Sequence, residues 1–395
     1  MPPERLSAWL AIHLLPGVGP LTARRALDLH GDPGEVAFRL PAAAWREFPG
    51  IDATTAREIV AARPALMRRV EAEWDAAVRR DLRILTRDDA EYPSMIAVLP
   101  DAPVVLYVKG GLPNGRVRLS LVGSRRATAY GRQFARELAG DLATLGVEIV
   151  SGGARGIDTW AHRGALEAGG RTVAVLGCGF AHTYPPENAD LFKAVAASGA
   201  IVSEFPIETS PLAENFPRRN RLISALSAGT IVVEATDKSG SLITAGHALE
   251  QGREVMAVPG PVTSEQSRGC HRLIQQGAKL VQTVEDVLAE LSPMYRDALT
   301  REAPGTTPGP SGPVSPDRPA QGLTQDEVAV LALFDDPRPV HVDRLAENAT
   351  FGVARLQTAL FGLALRGCID PLAGGYYVAR PRTGPPGLEE ATVHS

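Results

Sequence analysis

The fold of this 395-residue chain is decided by a strand-like run that ends in a glycine turn, at residues 118–126, which read RLSLVGSRR. Similar runs occur at residues 147–153 (VEIVSGG), 172–179 (TVAVLGCG) and 230–241 (TIVVEATDKSGS). Nearly continuous apolar runs are typical of strands covered by helices on both faces. These four runs therefore predict the centre of a parallel sheet in an α/β fold.

Outward from this centre, β-rich runs alternate with helical stretches from Leu82 to about Leu291. The alternation predicts an extended Rossmann-like, doubly wound and mainly parallel sheet. Its nine candidate strands are Arg83–Leu85, Val104–Val108, Arg118–Val122, Val147–Val150, Thr172–Leu176, Ala200–Ser203, Thr230–Glu234, Glu254–Val258 and Lys279–Val281.

Residues 4–80 carry helical periodicity around two similar turns, Pro16–Pro20 and Phe48–Asp52. They indicate two helix–hairpin–helix units, the second followed by helices over Ala53–Ala62 and Pro64–Asp81. The amides of the first turn suit a DNA phosphate, whereas Asp52 in the second turn would repel one. A DNA-binding role and a packing role both stay open for this pair.

After a stretch rich in proline and glycine at residues 303–322, three helical runs precede two short strands around Gly374 and Gly375. That order resembles a winged-helix module. The predicted organisation is a helical helix–hairpin–helix (SAM-like) domain over 1–81, the Rossmann domain over 82–292, a linker over 293–322, a winged-helix-like domain over 323–380 and a disordered tail over 381–395.

Composition excludes several classes of protein. Hydrophobic residues make up 44% and charged residues 22% of the chain, which is ordinary for a globular protein. No apolar run reaches the roughly 20 residues of a membrane span, and the first residues do not read as a secretory signal. The three cysteines lie far apart, so neither disulfides nor a zinc site is indicated. We expect a cytoplasmic protein.

The formal charge is −4, but arginines cluster locally: six of them and no acid lie between Arg116 and Arg136. Glycine turns at the carboxyl ends of parallel strands, followed by helix N-termini, suit phosphate groups. The polar segment Asn215–Arg221 places an aromatic ring beside three arginines, which suits the bases and backbone of single-stranded nucleic acid.

Other phosphate ligands fit less well. The turn after Val122 has Arg125 where a dinucleotide fingerprint has its second glycine, and no GxxxxGK[ST] motif occurs. We find no catalytic constellation around His162 or His182, and we expect no cofactor. One alternative is a nucleotide hydrolase of the phosphoribohydrolase kind, using residues 240–244 with Glu250. Another is a protein-interaction scaffold that acts through the end modules.

Seven ordered motifs resemble the bacterial DprA/Smf family of DNA-processing proteins. They are Gly123-Ser124-Arg125; Ser151-Gly152 with Gly156-Ile157-Asp158; Tyr184-Pro185-Pro186-Glu187-Asn188; Phe216-Pro217-x-Arg219-Asn220-Arg221-x-Ile223; Glu234 with residues 238–245; Pro259-Gly260; and Gly269 with Leu273-Ile274-x-x-Gly277-Ala278. The resemblance covers about residues 82–291, and the flanking modules agree with the family's full-length members.

The resemblance implies a non-catalytic protein of natural transformation that protects incoming single-stranded DNA, loads the RecA recombinase onto it and forms a homodimer through its Rossmann domain. Two departures concern His271, where family members often have asparagine, and Glu187, which lies in a stretch where some members carry a lysine. The expected nucleic-acid contacts are Gly123, Ser124, Arg125, Gly152, Phe216, Arg219, Asn220, Arg221, Lys238, Ser239, Gly240 and Ser241.

Overall fold

A computed structural model of the chain describes residues 2–292, 295–296, 299, 324–334, 340–349, 351–365, 369–372 and 376–379. The chain divides into two compact units, Met1–Thr306 and Thr307–Ser395. The predicted linker over 293–322, apart from residues 295, 296 and 299, and the predicted tail over 381–395 lie outside the described residues.

All nine predicted strands are present and form one sheet in the order β1-β2-β6-β5-β4-β3-β7-β8-β9. Strands β3 to β9 run parallel to one another, while β2 pairs antiparallel with β6 and β1 pairs antiparallel with β2 at that side of the sheet. This confirms the doubly wound α/β prediction. The strands are β1 (Arg83–Thr86), β2 (Val105–Gly110), β3 (Arg118–Val122), β4 (Glu148–Ser151), β5 (Thr172–Val175), β6 (Ala200–Ser203), β7 (Gly229–Val232), β8 (Glu254–Ala257) and β9 (Lys279–Leu280).

Helices cover both faces of the sheet because successive residues of each strand point to opposite sides. On β3, Leu119 and Leu121 pack in one core with Leu142, whereas Val122 packs in another with Leu222. The helices of this region are α6 (Ser94–Ala97), α7 (Ala129–Thr144), α8 (Ile157–Glu167), α9 (Ala189–Ser198), α10 (Asn215–Ala225), α11 (Gly240–Glu250), α12 (Arg268–Gln275) and α13 (Val284–Glu290).

The N-terminal helices belong to the same compact unit as the sheet. Their apolar residues, among them Trp45 and Ile59, share one core cluster with Val105 and Tyr107 of β2. A buried hydrogen bond of 2.7 Å from the Tyr107 hydroxyl to Glu73 Oε1 adds a polar link. These helices are α1 (Glu4–His13), α2 (Pro20–His30), α3 (Pro33–Phe38), α4 (Ala42–Trp45) and α5 (Ala53–Arg79).

The predicted break between Ala62 and Pro64 is wrong, because α5 continues through Pro64. Proline removes one helical hydrogen bond and disfavours the helix. On both sides of it, however, Ile59 and Leu66 are fully buried in the same core, which holds the two halves in line. Tertiary packing here outweighs the local preference.

In the second unit, α14 (Gln325–Leu331), α15 (Val342–Asn348) and α16 (Val353–Leu365) precede β11 (Ile369–Leu372) and β12 (Tyr376–Ala379), as expected for a winged-helix module. A third strand, β10 (Val340–His341), was not foreseen and pairs with β12. The core of the unit includes Leu345, Leu356 and Leu360.

Candidate nucleic-acid interface

A cleft opens at the point where the strand order of the sheet reverses. Strands β3 and β7 are neighbours, but the chain leaves β3 towards β4 on one side and β7 towards β8 on the other. Ligands of open α/β sheets bind outside the carboxyl ends of strands at such a point. The cleft there has a volume of about 670 Å³.

The turn after β3 requires glycine because three elements meet there. A Cβ atom on Gly123 would lie 2.6 Å from Cγ1 of Ile157 and 2.9 Å from the carbonyl oxygen of Glu234. The Ser124 amide donates to that carbonyl at 2.7 Å. The buried Glu234 carboxylate accepts from the Thr128 amide at 2.9 Å, next to the first turn of α7. These bonds fix the turn that carries Arg125.

Two arginines at the cleft are free to meet an anion. Arg125 and Arg126 are exposed and line the cleft. Among the described residues, no carboxylate lies within 4.0 Å of either guanidinium. The Cζ atom of Arg125 lies 5.0 Å from the centroid of the Phe216 ring, so cation and ring form one surface. Lys238 is also exposed, on the loop between Thr236 and Ser239, which both line the cleft.

Arg219 forms the floor of the cleft instead of its rim. Its side chain is buried, and Nη1 donates at 2.9 Å to the carbonyl of Gly152 and also to that of Val175. Burial lowers the pKa of Arg219 to about 10, which the nearby Asp158 opposes. Burial likewise raises the pKa of Asp158, against Arg219 and two backbone amides. Arg219 stays charged at neutral pH, with its guanidinium committed to the protein.

The first turn of α10 supplies the aromatic wall. The half-buried Phe216 ring lies 5.4 Å from the Tyr184 ring, centroid to centroid. Gly177, after β5, leaves room for it, since a Cβ there would lie 2.7 Å from Cδ1 of Phe216. Asn220 Nδ2 donates to the Gly240 carbonyl at 3.2 Å and thereby joins α10 to the start of α11.

The N-terminus of α11 closes the other side. Ser239 caps the helix, and its Oγ lies 2.7 Å from that of Ser241. Gly240 is exposed, and a Cβ there would meet no atom within 4 Å. The glycine is therefore not needed for packing, and it leaves the backbone at the start of α11 accessible from the cleft.

The structure brings most of the predicted contacts together. Lys238 is exposed beside the cleft, and Gly152 lies beneath it, where a Cβ would come within 2.6 Å of Arg219 and Asp158. The predicted contacts that line it are Gly123, Ser124, Arg125, Phe216, Arg219, Asn220, Ser239, Gly240 and Ser241.

Arg221 departs from the expectation. It does not line the cleft, and its guanidinium pairs with Glu204 and, at 3.0 Å, with Asp101. Residues two apart on a helix do not share a face, so Arg219 and Arg221 of α10 point to different surroundings. The positive charge of Arg221, which the sequence predicts to contact nucleic acid, is therefore paired with two carboxylates of the protein.

Several residues of the cleft were not among the predicted contacts. Arg126 lay in the quoted turn and Tyr184 in a quoted motif, so local signals existed for both. Gln266 had none, because it reaches the cleft through the turn that follows β8. Others in this group are Asp158, Thr236, Thr244 and Glu265.

The residues considered for catalysis, Glu250, His162 and His182, do not line the cleft, and each has a partner within the protein. Glu250 stands at the far end of α11 from Gly240, exposed and 3.3 Å from His247. His162 is buried with Nδ1 2.7 Å from Thr172 Oγ1, and burial lowers its pKa to about 3. His182 Nε2 lies 3.2 Å from the Glu208 carbonyl oxygen. Within the described ranges, no cluster of three metal-ligating side chains occurs and no helix is long and apolar enough to cross a bilayer.

The first helical hairpin has a different environment. Its turn residues Val18 and Gly19 line a separate cleft of about 260 Å³, together with Glu204 and Phe205. Gly17 has a φ of 70°, and a Cβ there would lie 2.5 Å from Cγ2 of Thr55. In the second hairpin, Oδ1 of Asp52 accepts from the Thr55 amide at 2.7 Å and so caps α5.

Both noted departures from the family pattern have protein partners. His271 Nε2 lies 3.0 Å from the Gly260 carbonyl oxygen. Glu187 forms an ion pair with Arg155, whose Nη2 donates to Oε2 at 3.0 Å.

Comparisons with known proteins agree with the motifs. Residues 83–292 match a family described as DNA recombination-mediator protein A, and residues 314–375 match the DprA winged helix domain. Protein Smf of Escherichia coli is 42% identical over 295 residues, which are 74% of this chain and 76% of that protein. DNA processing protein DprA of Bacillus subtilis is 47% identical over 204 residues, 51% of this chain and 68% of that protein. The X-ray structure of DNA processing protein A from Streptococcus pneumoniae gives a TM-score of 0.62 at 33% identity, covering 72% of this chain and 96% of that one.

Proposed function

Because the chain belongs to the DNA recombination-mediator protein A family, also called DprA or Smf, we propose that it binds single-stranded DNA in this cleft as a recombination mediator. The observation that carries the proposal is the uncommitted Arg125, held at the carboxyl end of β3 over the Phe216 ring. A free cation beside an aromatic ring meets both needs of a single strand, one for the backbone and one for the bases.

The proposed contacts follow from the geometry. The turn amides at the start of α11, together with Arg125, Arg126 and Lys238, bind successive phosphates. A base stacks on the surface shared by Phe216 and the planar guanidinium of Arg125. Paired bases of a duplex cannot turn outward into the cleft, so single strands bind more tightly.

The proposal extends to a role in natural transformation. The protein covers incoming single strands, loads the RecA recombinase onto them and breaks no bond of its own. It acts in the cytoplasm as a homodimer through the Rossmann domain. Two joined sites on one strand raise its affinity through effective concentration.

A competition experiment tests the binding step. A labelled oligothymidine bound to the protein at moderate salt is displaced by unlabelled single-stranded or duplex DNA of the same length, followed by fluorescence anisotropy. We expect the single strand to compete at a much lower concentration. Equal competition by the duplex contradicts a cleft that selects unpaired bases.

Two further assays address the rest. RecA filament formation on single-stranded DNA should begin sooner when this protein is present, and an unchanged lag contradicts the loading role. Purine monophosphates should stay intact after incubation with the protein. Release of free base would instead favour the nucleotide-hydrolase alternative.

A further inference from the structure

A second pair of arginine and aromatic ring lies next to the first. The Cζ atom of Arg155 is 6.0 Å from the centroid of the Tyr184 ring, much as Arg125 lies over Phe216. The Tyr184 and Phe216 rings are 5.4 Å apart, so the two pairs form one continuous wall. Tyr184 lines the cleft, and so does Ala154, the neighbour of Arg155.

The two pairs differ in the state of their cations. Among the described residues, no carboxylate lies within 4.0 Å of the Arg125 guanidinium, although the buried Asp158 interacts with it electrostatically from farther away. Arg155 instead makes a two-point ion pair with Glu187. Both partners are about half exposed, at 51% and 48% of their side-chain surface. The hydrogen bond from Arg155 lowers the pKa of Glu187, so this carboxylate is ionised at neutral pH.

Exposed ion pairs of this kind stabilise proteins little. The Arg155–Glu187 pair therefore adds little to the fold, but it changes what a bound strand meets. Beside Tyr184 the strand meets a guanidinium whose charge the Glu187 carboxylate neutralises. Beside Phe216 it meets the Arg125 guanidinium, which has no carboxylate within 4.0 Å among the described residues.

We propose that Tyr184 and Arg155 form a second nucleotide subsite next to the cleft, in which Tyr184 stacks a base and Glu187 withholds Arg155 from the adjacent phosphate. This rests on the proposed binding of single-stranded DNA. Glu187 thus limits the number of nucleotides of the DNA strand that the protein contacts. Removing its charge releases Arg155 for one additional phosphate contact.

The first experiment replaces Glu187 and measures binding of oligothymidines over a range of salt concentrations. Glu187→Gln should tighten binding about two- to fivefold, the equivalent of one exposed charge interaction. It should also steepen the dependence of log affinity on log salt by about 0.7, the value for one added phosphate contact on a single strand. The gain should appear only with strands long enough to pass beyond the Phe216 position.

A matched control separates this effect from a general change in charge. Asp190→Asn removes one negative charge three residues away, from an exposed pair with Lys193 at 2.8 Å. It should leave affinity and salt slope as in the parent protein. An equal gain in Asp190→Asn and Glu187→Gln overturns the proposal, and so does an unchanged Glu187→Gln.

Two more variants test the assigned roles. Adding Arg155→Ala to Glu187→Gln should remove the gain in salt slope. Tyr184→Leu should weaken binding of long strands more than short ones, and Tyr184→Phe should restore it, since stacking needs the ring and not the hydroxyl. A double variant that keeps the gain, or a Tyr184→Leu protein that binds all lengths like the parent, contradicts the subsite.

Failure of this inference and failure of the proposed function give different results. A parent protein that binds no single-stranded DNA removes the basis of both. A parent protein that binds it, with Glu187→Gln unchanged in affinity and slope, overturns only the second subsite.

Discussion

The cleft at the switch point and the turn of the first helical hairpin both present glycine-rich backbone, yet they differ in what surrounds it. Around the turn after β3, Arg125 and Arg126 are exposed, and among the described residues no carboxylate lies within 4.0 Å of either guanidinium. Around the hairpin turn, Gly17 abuts Thr55 and the neighbouring Gly19 lines a smaller cleft that contains Glu204.

The difference shows that glycine turns alone do not specify an anion site. In the cleft, glycine lets strands and helices approach closely while charged side chains remain free. In the hairpin, Gly17 supplies a positive φ and leaves room for a neighbouring helix. We therefore expect the hairpin to serve packing and the cleft to serve binding.

The largest expected effect concerns the floor of the cleft. Arg219→Ala leaves the buried Asp158 without its cationic neighbour and two strand-end carbonyls without a donor. The free energy of unfolding should fall by about 2–6 kcal/mol, because each buried acceptor left without a hydrogen-bond donor costs about 1–3 kcal/mol. Urea denaturation of the purified variant measures this.

Arg218→Ala is the matched control, because Arg218 is the exposed neighbour of Arg219 on α10. Its unfolding free energy should change by less than about 0.5 kcal/mol, as is usual for surface positions. Similar losses in the two variants would mean that the floor does not depend on the buried guanidinium.

Acid should lower the free energy of unfolding through two histidines, the fully buried His162 and the half-buried His13, whose Nε2 atom is buried. Burial lowers the pKa of His13, in α1, to about 4 and that of His162, in α8, to about 3, from 6.5. Between these values and 6.5 the unfolded chain binds protons that the folded chain does not. The free energy of unfolding therefore falls as pH drops through this window, by about 2 kcal/mol per histidine from pH 7 to pH 5.

Substituting each histidine in turn shows how much of this loss of unfolding free energy in acid comes from that histidine. In His13→Gln, the difference in unfolding free energy between pH 7 and pH 5, measured by urea denaturation, should be smaller by about 2 kcal/mol. His162→Gln should give a similar reduction. A pH dependence equal to that of the parent protein in both variants would assign acid sensitivity to other groups.

A smaller effect distinguishes the two glycines of the hairpin. Gly17→Ala forces a left-handed φ on a residue with a Cβ and brings it against Thr55. It should lower the unfolding free energy by about 1–2 kcal/mol, while Gly19→Ala, with no atom within 4 Å of its Cβ, should change it little. Both proteins, where folded, should bind single-stranded DNA like the parent. Weaker binding by folded Gly19→Ala would give the hairpin a role in binding.

The smallest effect concerns single phosphate contacts. Arg125→Ala and Lys238→Ala should each weaken binding of an oligothymidine and flatten its log–log salt dependence by about 0.7. Arg25→Ala, which removes an exposed arginine of α2 near the hairpin, serves as the control and should leave the slope unchanged. Unchanged slopes in both cleft variants would remove these residues from the backbone site.

Much of the fold could be predicted from the sequence because its signals are local. Buried parallel strands such as Thr172–Val175 are nearly all apolar, and each ends near a glycine or serine. The continuity of α5 could not be predicted, because the preference of Pro64 is local whereas the burial of Ile59 and Leu66 depends on tertiary packing.

The candidate site was predictable where its residues follow strands directly, as Gly123 and Arg125 do. Prediction failed where a side chain has distant partners. Arg221 is held by Glu204 and Asp101, which are far from it in sequence. Gln266 reaches the cleft only because β8 lies beside β7.

The two carbonyls that Arg219 binds belong to Gly152 and Val175, at the ends of the adjacent strands β4 and β5. One planar cation thereby joins the ends of two strands whose spacing the backbone hydrogen bonds between them already set. The width of the cleft above these strand ends is then set by the folded protein before any ligand binds. We therefore expect single-stranded DNA to bind in the cleft with little ordering of the protein.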